Sequence, residues 1–323
     1  EDDRVRVEVY LPQPIFTLEY LNRRHRMKTS GIGGQALMEG VMMKNKDHYA
    51  LAVRLSDGSI FLEDAHTKDL VQNQFVRKIP IIRGVIAFIE SMTLGIKTLT
   101  KSASFFDEEE EVPDPAKTKA ALTGAVIFAV ILAIGLFMVL PYGVSLLFSK
   151  VIHSVTALSL LEGGIRLLVF FLYVFGISKV NDIKRVFMYH GAEHKCINCI
   201  EHGMDLTVEN VRASSRLHKR CGTSFLLIIM MFSILFFALI QFSSPLLRLL
   251  CRLLLIPFIA GVSYEFLKLA GRKDSLLLNL LSKPGLWMQK LTTGEPDDTM
   301  IEVGIKAVDA VFDWKAFVEE QSS

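Results

Sequence analysis

Thirty consecutive uncharged residues, Ala120 to Ser149, interrupt an otherwise mixed chain, and a second uncharged run covers Gly222 to Ser244. A bilayer core needs roughly 20 apolar helical residues, so both runs predict spanning helices, the first kinked at Pro141. Leu167–Ser178 and Leu253–Tyr264 hold twelve uncharged residues each, a length that alone more often means a buried helix. Their flanks extend them. Arg166 and Lys179, then Arg252 and Lys268, can snorkel from either end, and Tyr173 and Tyr264 add amphipathic rings. The expected spans are therefore 120–149, 165–181, 222–244 and 246–269.

The polar stretches orient these spans. Eight Lys/Arg lie between Lys179 and Cys221, whereas the loops on the other side hold only Lys150 and Arg166, then Arg248 and Arg252. The positive-inside rule puts the central loop 182–221 and both termini in the cytoplasm. Two spans alone would force that basic loop across the membrane. Ahead of the first span, Gly31 to Asp64 alternates as strands do, with a hairpin turn at Ser56-Asp57-Gly58-Ser59. Ile82, Val85, Ile89, Met92, Ile96, Leu99, Ala103 and Phe106 then recur at helical spacing. They predict a helix whose apolar stripe packs on its own domain or on the membrane surface. The run 107–119 reads as an acidic linker. The tail, 270–323, begins with an amphipathic interfacial helix containing Trp287. Its end reads as a turn, a short strand at Met300–Val303 that pairs with the hairpin, and a helix.

Composition adds little beyond this. The 51% hydrophobic content beside 22% charged residues fits apolar segments alternating with polar ones. Lys/Arg (36) nearly balance Asp/Glu (34), so no specific DNA binding is expected. Four cysteines in no secreted pattern fit a reducing compartment. Residues 1–26 are charged, lack the apolar run of a secretory signal, and are read as an extension of unknown role. The fold class expected is an α-helical multi-pass membrane protein of about four transmembrane helices. A small cytoplasmic α+β domain, 27–106, accompanies them.

Chemistry concentrates in the central loop. Three of the four cysteines and four of the eight histidines lie between His190 and Cys221, and imidazole with thiolate is the ligand mixture of Zn²⁺. If the second span continues as a helix past Asp182, His190 and His194 share one face. His190-x-x-Glu193-His194 also has the order of the inverted zinc peptidases, in which the glutamate acts as base. Two ligand sets are open: His190, His194, His218 and Cys221, or Cys196-x-x-Cys199 with His218-x-x-Cys221. Arg216 and Arg220 stand nearby as contacts for an anion or a partner. Elsewhere, Gly31-x-Gly33-Gly34 reads as a tight turn and Glu162/Arg166 as an outer-end ion pair. Glu39, Arg83 and Glu90 read as surface charge or a polar network. The firm spans carry no ionisable residue, which argues against transport.

Several of these strings resemble the bacterial YqhQ-like membrane proteins. They are Gly33-Gly34-Gln35-Ala36 with Met38-Glu39-Gly40-Val41-Met42-Met43, Pro80 with Arg83-Gly84, and His190-Gly191-Ala192-Glu193-His194-Lys195. Arg216-x-His218-x-Arg220-Cys221-Gly222-Thr223 and Thr292-Thr293 with Glu295-Pro296-Asp297-Asp298 complete the match from Met27 onward. The resemblance implies a bacterial cytoplasmic-membrane protein of a family described as a predicted metal-dependent enzyme without an assigned reaction. Its motif points to His190, Glu193, His194, His218 and Cys221, and leaves Cys196 and Cys199 outside. Gly294 stands where the pattern leads one to expect a basic residue. Two functions follow as expectations. One is a zinc-dependent hydrolase at the cytoplasmic interface, with Glu193 as base. The other is a metal-stapled scaffold that touches membrane lipid and docks to the translocon, an insertase or the ribosome.

Overall fold

The computed structural model describes residues 29–106, 115–239, 244–270 and 276–322. The 1–26 extension and most of the acidic linker lie outside them. The expected hairpin is half of a four-stranded antiparallel meander: β1 (Gly33–Leu37), β2 (Gly40–Asn45), β3 (His48–Arg54) and β4 (Ile60–His66), in the order β1-β2-β3-β4. Two-residue turns close the first two hairpins, each through one residue of positive φ, Glu39 (50°) and Lys46 (55°). Positive φ at the first turn residue, Lys46, is the mirror-image geometry that matches the right-handed twist of paired strands, whereas at Glu39 it falls on the second turn residue, as in a type II turn. The third turn falls where the Ser56–Ser59 pattern puts it, with Ser59 O accepting from Leu55 N at 2.9 Å.

Strand alternation sends side chains to both faces, and both are covered. Leu37, Met42, Tyr49, Leu51 and Val53 pack against Leu94 of α1 (Ile82–Ala103). On the other face, Val41, Met43, Ala50 and Ala52 pack against α5 (Asn181–Glu201) and α10 (Asp298–Val311). Met300–Val303 is thus not a strand. Asp297 caps α10 by accepting from Met300 N at 2.9 Å, and the apolar spacing Met300, Ile301, Gly304, Ala307, Val308, Val311 buries one helical face.

α1 forms where its periodicity puts it, with its apolar stripe turned away from its own domain, so of the two expected placements only the membrane-surface one stays open. Gly84, Ile86, Leu94, Gly95, Thr98 and Ser102 are buried, while Ile82, Ile89, Met92, Ile96 and Leu99 of the apolar stripe are exposed. Small residues let α1 lie close to the sheet, at Gly95 on Gln35, and to the later helix Pro245–Ala270, at Gly84 on Gly261, so the stripe points outward. Glu39, Arg83 and Glu90 form no joint network. Glu39 pairs with Arg185, Arg83 with Glu265, and Glu90 with Arg77.

Among the described residues, four helices are long and apolar enough to cross a membrane: Thr123–Leu147, Val155–Ile177, Gly222–Leu239 and Leu246–Ala270. The first comprises α2 (Pro115–Ile134), a π-helical stretch (Gly135–Val139) and α3 (Leu140–Leu147). The irregularity sits just before Pro141, which has no N–H to offer the carbonyl of Phe137. α4 (Val155–Ile177) starts ten residues before the expected span of 165. It ends at Ile177, and α5 begins afresh at Asn181 instead of continuing the span. α6 (Val208–Ala213) leads to α7 (Gly222–Leu239), α8 (Pro245–Ala270) and α9 (Leu276–Thr292), and α11 (Trp314–Ser322) follows α10. Trp287 of α9 is exposed.

Candidate metal centre

α5 carries two chemistries on two faces. Ala192, Cys196, Ile197, Cys199 and Ile200 enter the core beneath the sheet, while His190, His194 and Asn198 repeat every four residues on the other side. Each imidazole is fixed by a main-chain carbonyl. His190 Nδ1 donates to Thr292 O at 2.8 Å and His194 Nδ1 to Arg216 O at 2.6 Å. A carbonyl only accepts, so Nδ1 carries a proton, and in the neutral ring Nε2 is the nitrogen with the lone pair. His190 Nε2 lies 3.2 Å from the Cys221 sulfur. Ligand atoms of His190, His194 and Cys221 all fall within 4.8 Å of one another, the one such His/Cys/Asp/Glu group among the described residues. Cys221 precedes α7, and its Sγ accepts from Thr223 N at 3.4 Å.

This donor set fits a borderline-soft divalent ion. Two imidazoles and a cysteine sulfur converge, and each imidazole has the outer hydrogen bond that orients a metal-binding histidine. Burial holds His194 below the ordinary imidazole range, which keeps it neutral and available as a ligand.

The loop facing α5 is pinned by residues that the sequence reading left without a role. Lys195 Nζ donates to Arg212 O and Ser214 O, both at 2.9 Å, and Asn198 Nδ2 to Ser215 O (2.6 Å) and Leu217 O (3.0 Å). Gln289 of α9 brackets His218, accepting from its N–H at 2.8 Å and donating to its carbonyl at 2.7 Å. A cue existed in the four-residue polar repeat, which a wholly structural core helix would not need. Gly191 lets the Thr293–Pro296 turn descend on α5, because a Cβ there would stand 2.0 Å from Gly294 O. Gly294 in turn packs on Met188, so the position leaves no room for a basic side chain.

The remaining expected residues scatter around this centre. Glu193 is buried and faces β1, where Gly34 N–H contacts it and a Cβ on Gly34 would lie 3.0 Å from its carboxyl carbon. Burial pushes this carboxyl up to about 7, against the opposing pull of His190 and of Gly34. The Gly33-Gly34 cluster is therefore part of a strand beside Glu193, not a tight turn. His218 stands 5.8 Å from His194 between ring centroids, but its Nε2 meets Glu201 Oε2 at 3.4 Å, outside the three-residue group. Arg220 is also paired with Glu201, and Arg216 with Glu295 and with Thr293 O at 2.7 Å. Cys196 and Cys199 are core residues. Cys196 packs on Gly304, Cys199 donates to Asp205 O at 3.3 Å, and burial raises both thiols, Cys199 to about 12. The Cys/Cys/His/Cys knuckle is not assembled.

A family model described as "Protein of unknown function (DUF1385)" matches residues 79–314. The chain belongs to this family. It is also similar to the "Uncharacterized protein YqhQ" of Bacillus subtilis (strain 168), with 37% identity over 299 residues, 89% of this chain and 94% of the relative. No solved structure matches. Every residue of the three-donor group lies within the matched DUF1385 segment.

Proposed function

We propose that this chain spans the bacterial cytoplasmic membrane four times and works as a zinc-dependent hydrolase at its cytoplasmic surface. The observation that carries the reading is the convergence of His190, His194 and Cys221, with both Nδ1 atoms tied to main-chain carbonyls. Two imidazoles and one thiolate suit Zn²⁺, and three protein donors leave a fourth position for substrate or water, as catalytic sites do. When bound, such an ion supplies Lewis-acid polarisation of a substrate oxygen. In this reading Glu193, three residues from His190 on the same helix, serves as the general base, as the H-x-x-E-H order suggests. Arg216 sits at the rim on the exposed Glu295 and can be released to an anionic substrate.

Orientation follows from charge. The segment 148–154 between α3 and α4 holds only Lys150, and 240–244 between α7 and α8 has no Lys or Arg, against eight from Lys179 to Cys221. The competing reading is an ion that only staples the loop, leaving a basic face to dock the translocon, an insertase or the ribosome. The burial of His194 and Cys221 favours it.

Elemental analysis of the purified protein decides first. About one zinc per chain, lost in His190→Ala and Cys221→Ala and kept in a Cys196/Cys199 double alanine variant, supports the centre. Turnover of ester, peptide or phosphoester probes that vanishes in zinc-loaded Glu193→Gln supports the hydrolase. Zinc retained with no turnover in either protein favours the staple.

A further inference from the structure

Within the apolar helices lies a second polar cluster, and its charges do not balance. Glu162 Oε1 accepts from Arg166 Nη2 at 2.8 Å and from Arg252 Nη1 at 2.5 Å. Arg166 is otherwise satisfied. Its Nε donates at 2.8 Å to Phe137 O, the carbonyl to which Pro141 has no N–H to donate, and its Nη1 to Ser233 Oγ at 3.2 Å. The expected Glu162–Arg166 ion pair is thus present, but buried, and Glu162 is shared with a second guanidinium, the two arginines being 4–5% exposed. Arg252 Nε is buried with no hydrogen-bond partner. Two cations on one carboxylate leave a net positive charge in an apolar bundle, which is strongly disfavoured without a counter-anion.

A cavity of about 230 Å³ adjoins this cluster, with Arg252 and Arg248 among its walls. The rest of the lining is Met138, Val139, Leu249 and the ring of Tyr142, with Leu246. The guanidinium carbons of Arg248 and Arg252 lie 5.6 and 5.8 Å from the centre of the Tyr142 ring. Arg248 and Arg252 are three and seven residues into α8 from Pro245, about 5 and 10 Å along the helix. That is the depth of lipid headgroups and the first acyl carbons.

Resting on the membrane reading above, we infer that this cavity binds an anionic phospholipid, its phosphate on Arg252 and Arg248 and its chain along the apolar walls. Guanidinium pairs suit a phosphate geometrically, and a soluble anion would gain nothing from Met138, Val139 and Leu249. The bound anion supplies the charge that Glu162 alone does not.

The test uses full-length protein, delipidated in mild detergent and titrated with phosphatidylglycerol, phosphatidylcholine or inorganic phosphate, with binding read by native mass spectrometry. One phosphatidylglycerol per chain is expected, held at least about tenfold more tightly than phosphatidylcholine. Arg248→Gln and the cavity-filling Leu249→Trp each abolish that preference, and they decide the matter if Arg252→Gln does not fold. Equal retention of both lipids, binding of inorganic phosphate only, or an undiminished preference in both variants overturns the site. Recovery of the chain in the soluble fraction after lysis sinks the membrane reading as well. Recovery with membranes, without the preference, sinks the cavity alone.

Discussion

The His/Cys centre on α5 and the Glu162 cluster between the apolar helices are both buried polar sites, yet they are held in opposite ways. At the first, main-chain carbonyls and neutral amides do the positioning: Thr292 O, Arg216 O, and the bonds of Asn198 and Gln289. Its donors are left facing one another. At the second, charges hold charges, and one guanidinium nitrogen is left over. Neutral positioning costs little when a ligand is absent, so the first site can persist empty. An ion cluster in an apolar bundle depends on every member. The two sites should therefore respond differently to loss of a single group.

The largest effect is expected in the bundle. Glu162→Gln leaves two buried guanidiniums without a carboxylate and should cost about 3–5 kcal/mol, seen as a large fall in thermal stability in detergent. A loss under about 1 kcal/mol would break the comparison, because the cluster would then be no more fragile than the neutral site. Next comes Glu201, which links Ser30, His218 and Arg220 beside the His/Cys centre. Burial pushes its carboxyl up, but the His218 hydrogen bond and the Arg220 charge outweigh that and hold it at about 2, against an ordinary 4.5. A depressed carboxyl stabilises fully above pH about 4.5 and loses that contribution as pH falls toward 2, roughly 3 kcal/mol in all. Denaturation curves of Glu201→Gln should lack this slope between those pH values. If they keep it, another carboxylate carries the acid sensitivity.

Metal removal should weigh slightly less. Chelation from a state with zinc at a hundred times its Kd lowers stability by about 2.7 kcal/mol, and Glu162→Gln should show the same decrement because the two sites share no partner. Unequal decrements would mean that the sites are coupled. Smallest is Thr223→Val, which removes the hydroxyl 3.1 Å from Cys221 Sγ. About 1 kcal/mol and a several-fold weaker zinc affinity are expected by competition with a chromophoric chelator.

Much of the centre was legible from spacing. His190 and His194 share a face because they are one helical turn apart, whatever helix carries them, and that survived the break between α4 and α5 at residues 178–180. His218 was grouped with them on residue type, yet its imidazole found Glu201. Cys196 and Cys199 were open as ligands until α10 covered them, since a buried thiol reads the same in sequence whether it meets a metal or Gly304. α1 shows a related limit, because its stripe did not tell which of two surfaces it faces. An apolar stripe names the face that avoids water, and beside apolar helices the small-residue face can be the one that packs.

Local patterns thus determined the four apolar helices, the strand region, the helical register of His190 and His194, and the basic character of the central loop. Each depends on neighbours a few residues apart. The tertiary structure brought Cys221 to those histidines, as the family motif leads one to expect, and kept the Cys196/Cys199 pair away from them. It also decided that Thr292 and Arg216 lock them, and that Glu162, Arg166 and Arg252 meet inside the bundle. Thr292 is 102 residues from His190, and Arg252 is 90 from Glu162. Over such separations a side chain's partner is set by which faces the helices bury, a property of packing that no short stretch of sequence contains.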